Sequence, residues 1–579
     1  MNPTNTREAR GENPFRLAGG TLLAPFIGNI LQQRGITGNE AIRSFLEPKL
    51  HDLPNPFLMK DMQKAVEIIE RAIQENQEII IWGDYDVDGT TATALLFLFL
   101  QTLGHKKIRF HIPNRLTDGY GLNRETLLAL SQVKQDKKRV LITVDNGISA
   151  FEEVLFAQNL GYLTIITDHH IPAKERVAAD AVLNSKQHDC HFPDKNLSGV
   201  GMAFYLAMGV RSHLGKNDFF KDVSTIPNLK LLLDLVAVGT IADMVPLLGI
   251  NRLLVKAGME TIAEGMNHGL TALCQLTNID KRHIRSEDIS FQLAPKINAV
   301  GRMGNARKAV ELFLSQDQKE ATALASRLIE DNKRRQRISI NEYQKAKKQG
   351  LEGGQKDDSS LVIAGTFHLG VAGIVAANLT EEYGKPAIVL CRQEGGLLKG
   401  SARSVPGVHL YQALEECSKL LLAYGGHKMA GGMTLQEENL KDFKRSFDDA
   451  IYKQTQGKPY RKNIGADCDL EITKLFTGNI LDQLCLLEPF GEGNPQLIFR
   501  DLNADIEQIS AMGAGNEHLR FSILNGKRKI KGVGFGLGNK IKEYRSEGVK
   551  EILYTPTKNF FRGRCNWEVR ITSIKVNNT

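Results

Sequence analysis

Residues 79–82, Ile-Ile-Ile-Trp, carry no charge, and further β-branched runs follow at Ile108–Ile112, Val140–Val144 and Leu163–Thr167. Short apolar runs bounded by turn residues read as buried strands of a parallel sheet. Between and around them, Met62–Glu75 sets Ala65, Ile68, Ile69 and Ala72 at helical spacing, and Thr90–Leu103 is an Ala-, Leu- and Phe-rich helix. Strands alternating with helices predict a doubly wound α/β sheet. Farther along, Leu231–Leu248 reads as an apolar helix broken near Pro246, and Glu320–Gly350 as one long polar helix. Leu361–Ala364 and Ala387–Leu390 predict strands of a second α/β unit. From about residue 465 the texture changes to short strands with polar turns: Leu497–Phe499, Arg520–Ile523, Ile530–Gly536, Glu551–Thr555 and Glu568–Ile574. That pattern predicts a small barrel. Residues 1–60, with Pro and Gly around the amphipathic stretch Gly38–Leu46, form a lead-in.

The way the strands end carries the chemistry. The first is followed by Asp84, Asp86 and Asp88 at alternate positions, with Gly89 allowing a sharp turn into the helix. The third ends in Asp145-Asn146-Gly147 and the fourth in Asp168-His169-His170. One strand ending in Asp is an ordinary surface turn, and a lone His pair an ordinary polar cap. Three such endings on one sheet edge point to a polynuclear metal site, because ligands of open α/β sheets bind beyond the carboxyl ends of the strands. Hard oxygen donors suit Mg²⁺ or Mn²⁺. Asp234 and Asp243 are the only charges in the apolar stretch Leu231–Leu248. An unpaired buried carboxylate is costly, so at least one of them should face the cluster.

Two other motifs share these letters. Asp84-x-Asp86-x-Asp88-Gly89 copies the opening of an EF-hand loop, but the twelfth position is Leu95, where a bidentate Glu belongs. Asp86-x-Asp88-Gly89-Thr90 also spells a phosphatase nucleophile motif, yet Gly83 and Asp84 intervene after the strand, and a His-His dipeptide has no place in that chemistry.

With 579 residues the chain exceeds one core and predicts two to four domains. Its 74 Lys and Arg against 66 Asp and Glu leave +8, a mild basicity that fits a polyanionic partner. The seven cysteines are scattered without a CxxC pair, which argues against a disulfide framework or a zinc site. Met1–Gly20 lacks an apolar signal core, and the longest apolar run, Ala94–Leu100, is too short to span a bilayer. The expectation is a cytoplasmic protein with no membrane segment. Lys333, Arg334, Arg335 and Arg337 on the long helix read first as a solvated face, with nucleic-acid contact as the alternative. Near the C-terminus, Lys527, Arg528, Lys529 and Lys531 lie among Phe521 and Phe535, with Phe560, Phe561, Arg562 and Arg564 beyond. Basic residues interleaved with aromatics suit single strands, although half of such aromatics could fill a core.

Asp84-Tyr-Asp-Val-Asp-Gly89, Val144-Asp-Asn-Gly-Ile148, Thr167-Asp-His-His170 and Gly239-Thr-Ile-Ala-Asp243 resemble the motifs of the DHH phosphoesterase superfamily. Asn298-Ala-Val-Gly-Arg302, Gly400-Ser-Ala-Arg-Ser404, Gly425-Gly-His-Lys-Met-Ala430 and Phe490-Gly-Glu-Gly-Asn-Pro495 extend the likeness, from about residue 70 to the C-terminus, to its RecJ family of bacterial single-strand-specific exonucleases. Val300 replaces a frequent Ala and Phe367 a usual Trp, neither at a ligand position.

The resemblance implies a lead-in (1–60), a parallel-sheet DHH catalytic domain (61–315), a connecting helix (316–355), a smaller α/β DHH-associated domain (356–458) and a C-terminal OB-fold β-barrel (459–579). It implies a 5′→3′ exonuclease on single-stranded DNA that releases mononucleotides, in recombination and repair. Two Mn²⁺ or Mg²⁺ ions would be held by Asp84, Asp86 and Asp145, and by Asp88, Asp145, His169 and Asp243, with Asp145 bridging. His170 would act on the scissile phosphate or leaving group. Arg115 and Tyr120, in the Gly-rich loop after the second strand, are candidate substrate contacts. So are Arg302, Ser401, Arg403, Gly426 and His427, the glycines of 425–432 cradling phosphate through free N–H groups. The chain is expected to act as a monomer, with a single-strand-binding protein and a RecQ-type helicase as collaborators. A DHH enzyme on a cyclic dinucleotide, nanoRNA or pyrophosphate is the alternative that the basic, aromatic C-terminal part opposes. A ligand-depleted, non-catalytic binding protein is the other, opposed by the complete donor set.

Overall fold

The computed structural model describes residues 15–17, 20–132, 138–352, 358–458, 460, 464–502, 504, 506–525, 528–547, 549–561 and 564–576, apart from the side chains of 351, 352, 507, 525, 528, 547, 560, 561 and 564. Two compact units emerge. One joins residues 54–245 and 257–462; the other gathers the described residues up to 53, then 246–256 and 463–579.

The larger unit starts from a five-stranded parallel sheet: β1 (Ile79–Gly83), β2 (Ile108–His111), β3 (Arg139–Val144), β4 (Tyr162–Thr167) and β5 (Ala181–Leu183). The order is β2-β1-β3-β4-β5, all neighbours parallel. Strands β1 and β3 are buried along their whole lengths, which explains runs without alternation. The chain leaves β1 toward one side and returns on the other, so the β1/β3 border is the switch point where such sheets bind ligands.

The helix after β1 begins at Val87, three residues before the expected start, with Asp86 as its N-cap. Gly89 therefore makes no turn. It lies in the first helical turn, where a Cβ would meet Asp84 backbone atoms at 2.6 Å, so the residue is small to let helix and strand end approach. Likewise the predicted helix Leu231–Leu248 is a single α-helix only over Leu233–Ala242. Asp243 caps it and Met244 takes a left-handed φ of 59°. Val223–Ala242 is the one described stretch long and apolar enough to cross a membrane by composition, yet Leu233–Ile241 are all buried inside the protein, as a core helix is.

A 35-residue helix, Gln318–Glu352, leads to a second, mixed sheet. Its strands β6 (Leu361–Gly365), β7 (Ala387–Arg392), β8 (Leu397–Arg403), β9 (Ala423–Gly426) and β10 (Ala430–Gln436) run in the order β6-β7-β8-β10-β9.

The smaller unit holds a seven-stranded sheet, β11 (Cys468–Asp469), β12 (Phe499–Asp501), β13 (Ile506–Met512), β14 (His518–Asn525), β15 (Arg528–Gly534), β16 (Val549–Phe561) and β17 (Arg564–Val576). Sequence patterning anticipates five strands and misses β11 and β13. The lead-in is not free-standing: Ile27, Ile30 and Leu31 of helix Pro25–Gln33 and Phe45 and Leu46 of helix Asn39–Leu46 share a core with Phe499, Tyr554 and Val569. Arg252, 1% exposed, ties 246–256 into this unit by donating to the carbonyls of Phe45, Leu486, Leu487, Glu488 and Pro489.

Candidate active site

The carboxyl ends of β1, β3 and β4, three adjacent strands, bring the predicted donors together. Asp84 follows β1 and is 4% exposed. Asp86 caps the following helix, its Oδ1 accepting from the Gly89 N–H at 3.0 Å. Asp88 turns toward the start of helix Gly199–Lys216, where its two oxygens accept from the N–H groups of Gly199 at 2.6 Å and Val200 at 2.8 Å. Those N–H groups have no partner within their own helix, so they orient a carboxylate at little cost. Asp145 directly follows β3 at a left-handed φ of 62°, a strained backbone for a non-glycine residue, and its N–H is held by the Thr167 carbonyl.

His169 follows β4 and stands among these carboxylates. Its Nε2 is 3.1 Å from Asp145 Oδ1, 3.5 Å from Asp243 Oδ2 and 4.0 Å from Asp88 Oδ2. Burial, followed by the charge of His170, pushes its imidazole down to about 3, so the ring is neutral and its lone pair available. His170 differs. Burial alone would lower it, but its Nδ1 lies 2.7 Å from Asp168 Oδ1 and the net effect raises it. Asp168 also accepts from the N–H groups of Ile148, His169 and His170, so it fixes the whole turn. The Tyr120 hydroxyl donates to the Asp145 carbonyl at 3.1 Å and is 3.5 Å from His170 Nδ1.

Three overlapping donor sets result: Asp84, Asp86 and Asp145; Asp88, His169 and Asp243; Asp145, His169 and His170. Asp84 Oδ1, Asp145 Oδ1, Asp243 Oδ2 and His169 Nε2 are buried without a hydrogen-bond partner. Orphaned buried acceptors are rare and costly unless a cation completes them. Burial and mutual repulsion raise Asp84, Asp145 and Asp243 well above the carboxylate range, and Asp88 to about 7. Oxygen donors with one imidazole fit Mn²⁺ or Mg²⁺. Asp234 stays outside: it is buried, and its Oδ1 accepts from the Leu235 N–H.

Arginines gather elsewhere in the same unit. Arg115 stacks over Tyr85 at 5.1 Å, and Tyr85 in turn meets the Tyr120 ring edge-on. Arg302 donates to the Gly370 carbonyl at 3.4 Å, and Arg403 donates to Ser401 Oγ at 3.1 Å. Burial, then Arg115, Arg403 and Arg335, push Arg302 down to about 10. Gly431 and Gly432 do not contribute to the expected cradle of free N–H groups. Gly431 and Gly432 pair with Ala402 and Ser401 on β8 and with Gly426 and Gly425 on β9, so they are strand residues. Gly426, at φ 138°, leads into the turn that carries His427, whose imidazole is lowered by partial burial and then by the charges of His170 and Lys186.

The model of the DHH family, N-terminal domain, matches residues 78–240; the DHHA1 domain matches 358–453 and the RecJ OB domain 466–573. The single-stranded-DNA-specific exonuclease RecJ of Bacillus subtilis is 36% identical over 89% of this chain and 63% of its own length. The same-named protein of Dickeya dadantii is 34% identical, over 95% of this chain and 96% of that one. The chain belongs to the RecJ family. A crystal structure of RecJ from Thermus thermophilus in complex with Mn²⁺ superposes with a TM-score of 0.78 at 28% identity, over 96% of this chain and 76% of that one.

In this RecJ-family chain, reading by motif misses three contributors. Asp168 is legible as the first letter of Asp-His-His, yet only the fold shows it gripping His170. Asn184 and Lys186, in the turn after β5, donate to the carbonyls of His170 and His169 and brace the pair from behind. No spacing in the sequence links them to the cluster. In the smaller unit, Phe521 is core, 2% exposed, whereas Phe535 is 59% exposed and edge-on to His518. Arg520, Lys529 and Lys531 alternate outward on the paired strands β14 and β15. Lys527 and Arg562 lie outside the described residues, as do the side chains of Arg528, Phe560, Phe561 and Arg564.

Proposed function

We propose that this chain is a two-metal exonuclease that degrades single-stranded DNA from its 5′ end and releases 5′-mononucleotides. The observation that carries the reading is the set of orphaned, buried donors at the β1/β3 switch point: Asp84 Oδ1, Asp145 Oδ1, Asp243 Oδ2 and His169 Nε2. Asp84, Asp86 and Asp145 would hold one Mn²⁺ or Mg²⁺ ion and Asp88, Asp145, His169 and Asp243 the other. Bound there, two divalent ions supply Lewis acidity and countercharge at the scissile phosphodiester. His170, with Nδ1 engaged by Asp168, offers Nε2 to protonate the departing 3′-oxygen. A raised imidazole pKa suits that donation. Arg115, Arg302, Ser401 and Arg403 neutralise and orient backbone phosphates, with Tyr120, Gly426 and His427 lining the same path. The outward face of β14 and β15, with Arg520, Lys529, Lys531 and Phe535, adds affinity by phosphate neutralisation and stacking.

The chain works in the cytoplasm, as a monomer, in DNA recombination and repair, on strands exposed by a RecQ-type helicase and shared with a single-strand-binding protein. The domain limits proposed are 61–315 for catalysis, 316–355 for the connecting helix, 356–458 for substrate binding and 459–579 for the OB-fold. Incubation with Mn²⁺ and a labelled single strand, a blunt duplex or a cyclic dinucleotide tests the reading. Stepwise release of mononucleotides from the single strand alone is expected; preferential turnover of the cyclic dinucleotide would overturn it.

A further inference from the structure

The basic cluster of the long helix is divided by the fold. Lys333, Arg334 and Arg337 are exposed on helix Gln318–Glu352, whereas Arg335 is half-buried. This helix packs against Ala294–Arg302, the helix that ends in Arg302. Arg335 Nη2 donates to Oδ1 of buried Asn332 at 2.5 Å, which orients the guanidinium. Its Nε is buried and has no acceptor. Arg335 adds to the positive field around Arg302, to which Arg115 and Arg403 also contribute. None of the four has a carboxylate at ion-pair distance among the described residues. Buried donors are normally satisfied, and buried charges are normally paired. Four cations from four separate segments, one with an idle buried N–H, call for an anion rather than for one another.

We propose that Arg335 binds the substrate, its half-buried guanidinium donating to a phosphate of the strand that Arg115, Arg302, Ser401 and Arg403 engage, with Asn332 as its positioning residue. This rests on the single-strand reading above. The connecting helix then forms part of the phosphate-binding wall, and only one of its four clustered basic side chains does the binding. A guanidinium is required because its planar fork can keep the bond to Asn332 while its remaining N–H groups serve the phosphate; an ammonium cannot divide its donors that way.

Steady-state kinetics on a labelled single strand with Mn²⁺, together with strand binding in EDTA over a series of salt concentrations, test this. Arg335→Gln should raise KM about tenfold and leave kcat within about twofold. Its slope of log affinity against log salt should become shallower by about 0.7, one single-strand phosphate contact. Arg335→Lys should recover less than half of the lost affinity, and Asn332→Ala should raise KM with no change in charge. The double variant Arg334→Gln/Arg337→Gln, on the exposed face, should keep KM within about twofold. An Arg335→Gln protein with wild-type KM and salt slope overturns the assignment, as does an exposed-face variant of equal effect. If Arg335→Gln fails to fold, Arg335→Lys decides: a KM raised at least about threefold supports the role, an unchanged one refutes it. Failure of the parent reading is distinct, since the unaltered protein would then leave the single strand intact.

Discussion

The carboxylates at the end of the first sheet and the arginines grouped around Arg302 are two crowded clusters of like charge, of opposite sign, in one unit. At the sheet edge, Asp84, Asp88, Asp145 and Asp243 are crowded, buried and pushed upward in pKa. Around Arg302, guanidiniums are crowded and, for Arg302, Arg335 and Arg403, pushed downward by burial. Each cluster destabilises the unliganded protein by like-charge repulsion. They differ in how they are built. The aspartates are locked by main-chain N–H groups and a strained backbone, as Asp88 and Asp145 illustrate. The arginines reach in on long stems from the β2 loop, two helices and β8, with few hydrogen bonds of their own. Rigid short donors suit chemistry, where a misplacement of one ångström is expensive. Long adaptable cations suit a strand that must advance after each cleavage.

The largest break in that contrast is expected at Asp145. Asp145→Ala should cut turnover by at least about a thousandfold, roughly 4 kcal/mol of barrier, while the melting temperature of metal-free protein holds or rises. Near wild-type turnover in saturating Mn²⁺ would remove Asp145 from the proposed donor sets. The next largest is the split between the two aspartates of the apolar helix. Asp243→Asn should weaken Mn²⁺ binding, read by calorimetric titration, by about a hundredfold, while Asp234→Asn leaves it nearly unchanged; the reverse ranking would undo the second donor set. Arg403→Gln should act on the other axis, raising KM about tenfold, about 1.4 kcal/mol, with kcat and Mn²⁺ affinity little altered. A proportional loss in kcat would mean that the arginines take part in chemistry.

The smallest effect concerns protons. The Asp88 carboxyl, raised to about 7 by burial and then by Asp86, binds a proton in the fold at pH values where the unfolded chain has released it. The folded state therefore holds more protons between about pH 4 and pH 7, and its stability falls as pH rises through that window. Metal-free protein should lose several degrees of melting temperature between pH 5.5 and 7.5 relative to Asp88→Asn, and saturating Mn²⁺ should abolish the difference. Identical pH profiles for the two metal-free proteins would show that Asp88 is not the strained group.

Much of the first sheet, together with β6 and β7, is legible because those strands are apolar runs between turns; β8, β9 and β10 are Gly-rich or alternate, and pattern misses them. The predicted strand from Val140 starts one residue early in the fold, at Arg139, and the long helix from Glu320 starts two residues early, at Gln318. Boundaries slip where capping decides them: by pattern Asp86 reads as loop, and the helix before Asp243 reads on to Pro246. The seven-stranded sheet is only partly legible, because β13 alternates weakly and β11 is two residues long.

What the sequence determined by itself is the donor chemistry: which strands end in aspartate and histidine, and therefore that hard cations are wanted at one edge. Side-chain type and strand polarity are local properties, and they need no partner to be read. Tertiary structure alone decided which donors share an ion's reach and that Asp168 commands His170; Asp243 rather than Asp234 was what the motif resemblance implied, and the fold sets it 3.5 Å from His169 Nε2. It alone separated Arg335 from its neighbours and Phe535 from Phe521, and it joined residues before 53 to the core of the C-terminal unit. Those outcomes depend on distances between segments far apart in the chain, set by packing against elements whose approach no local pattern encodes.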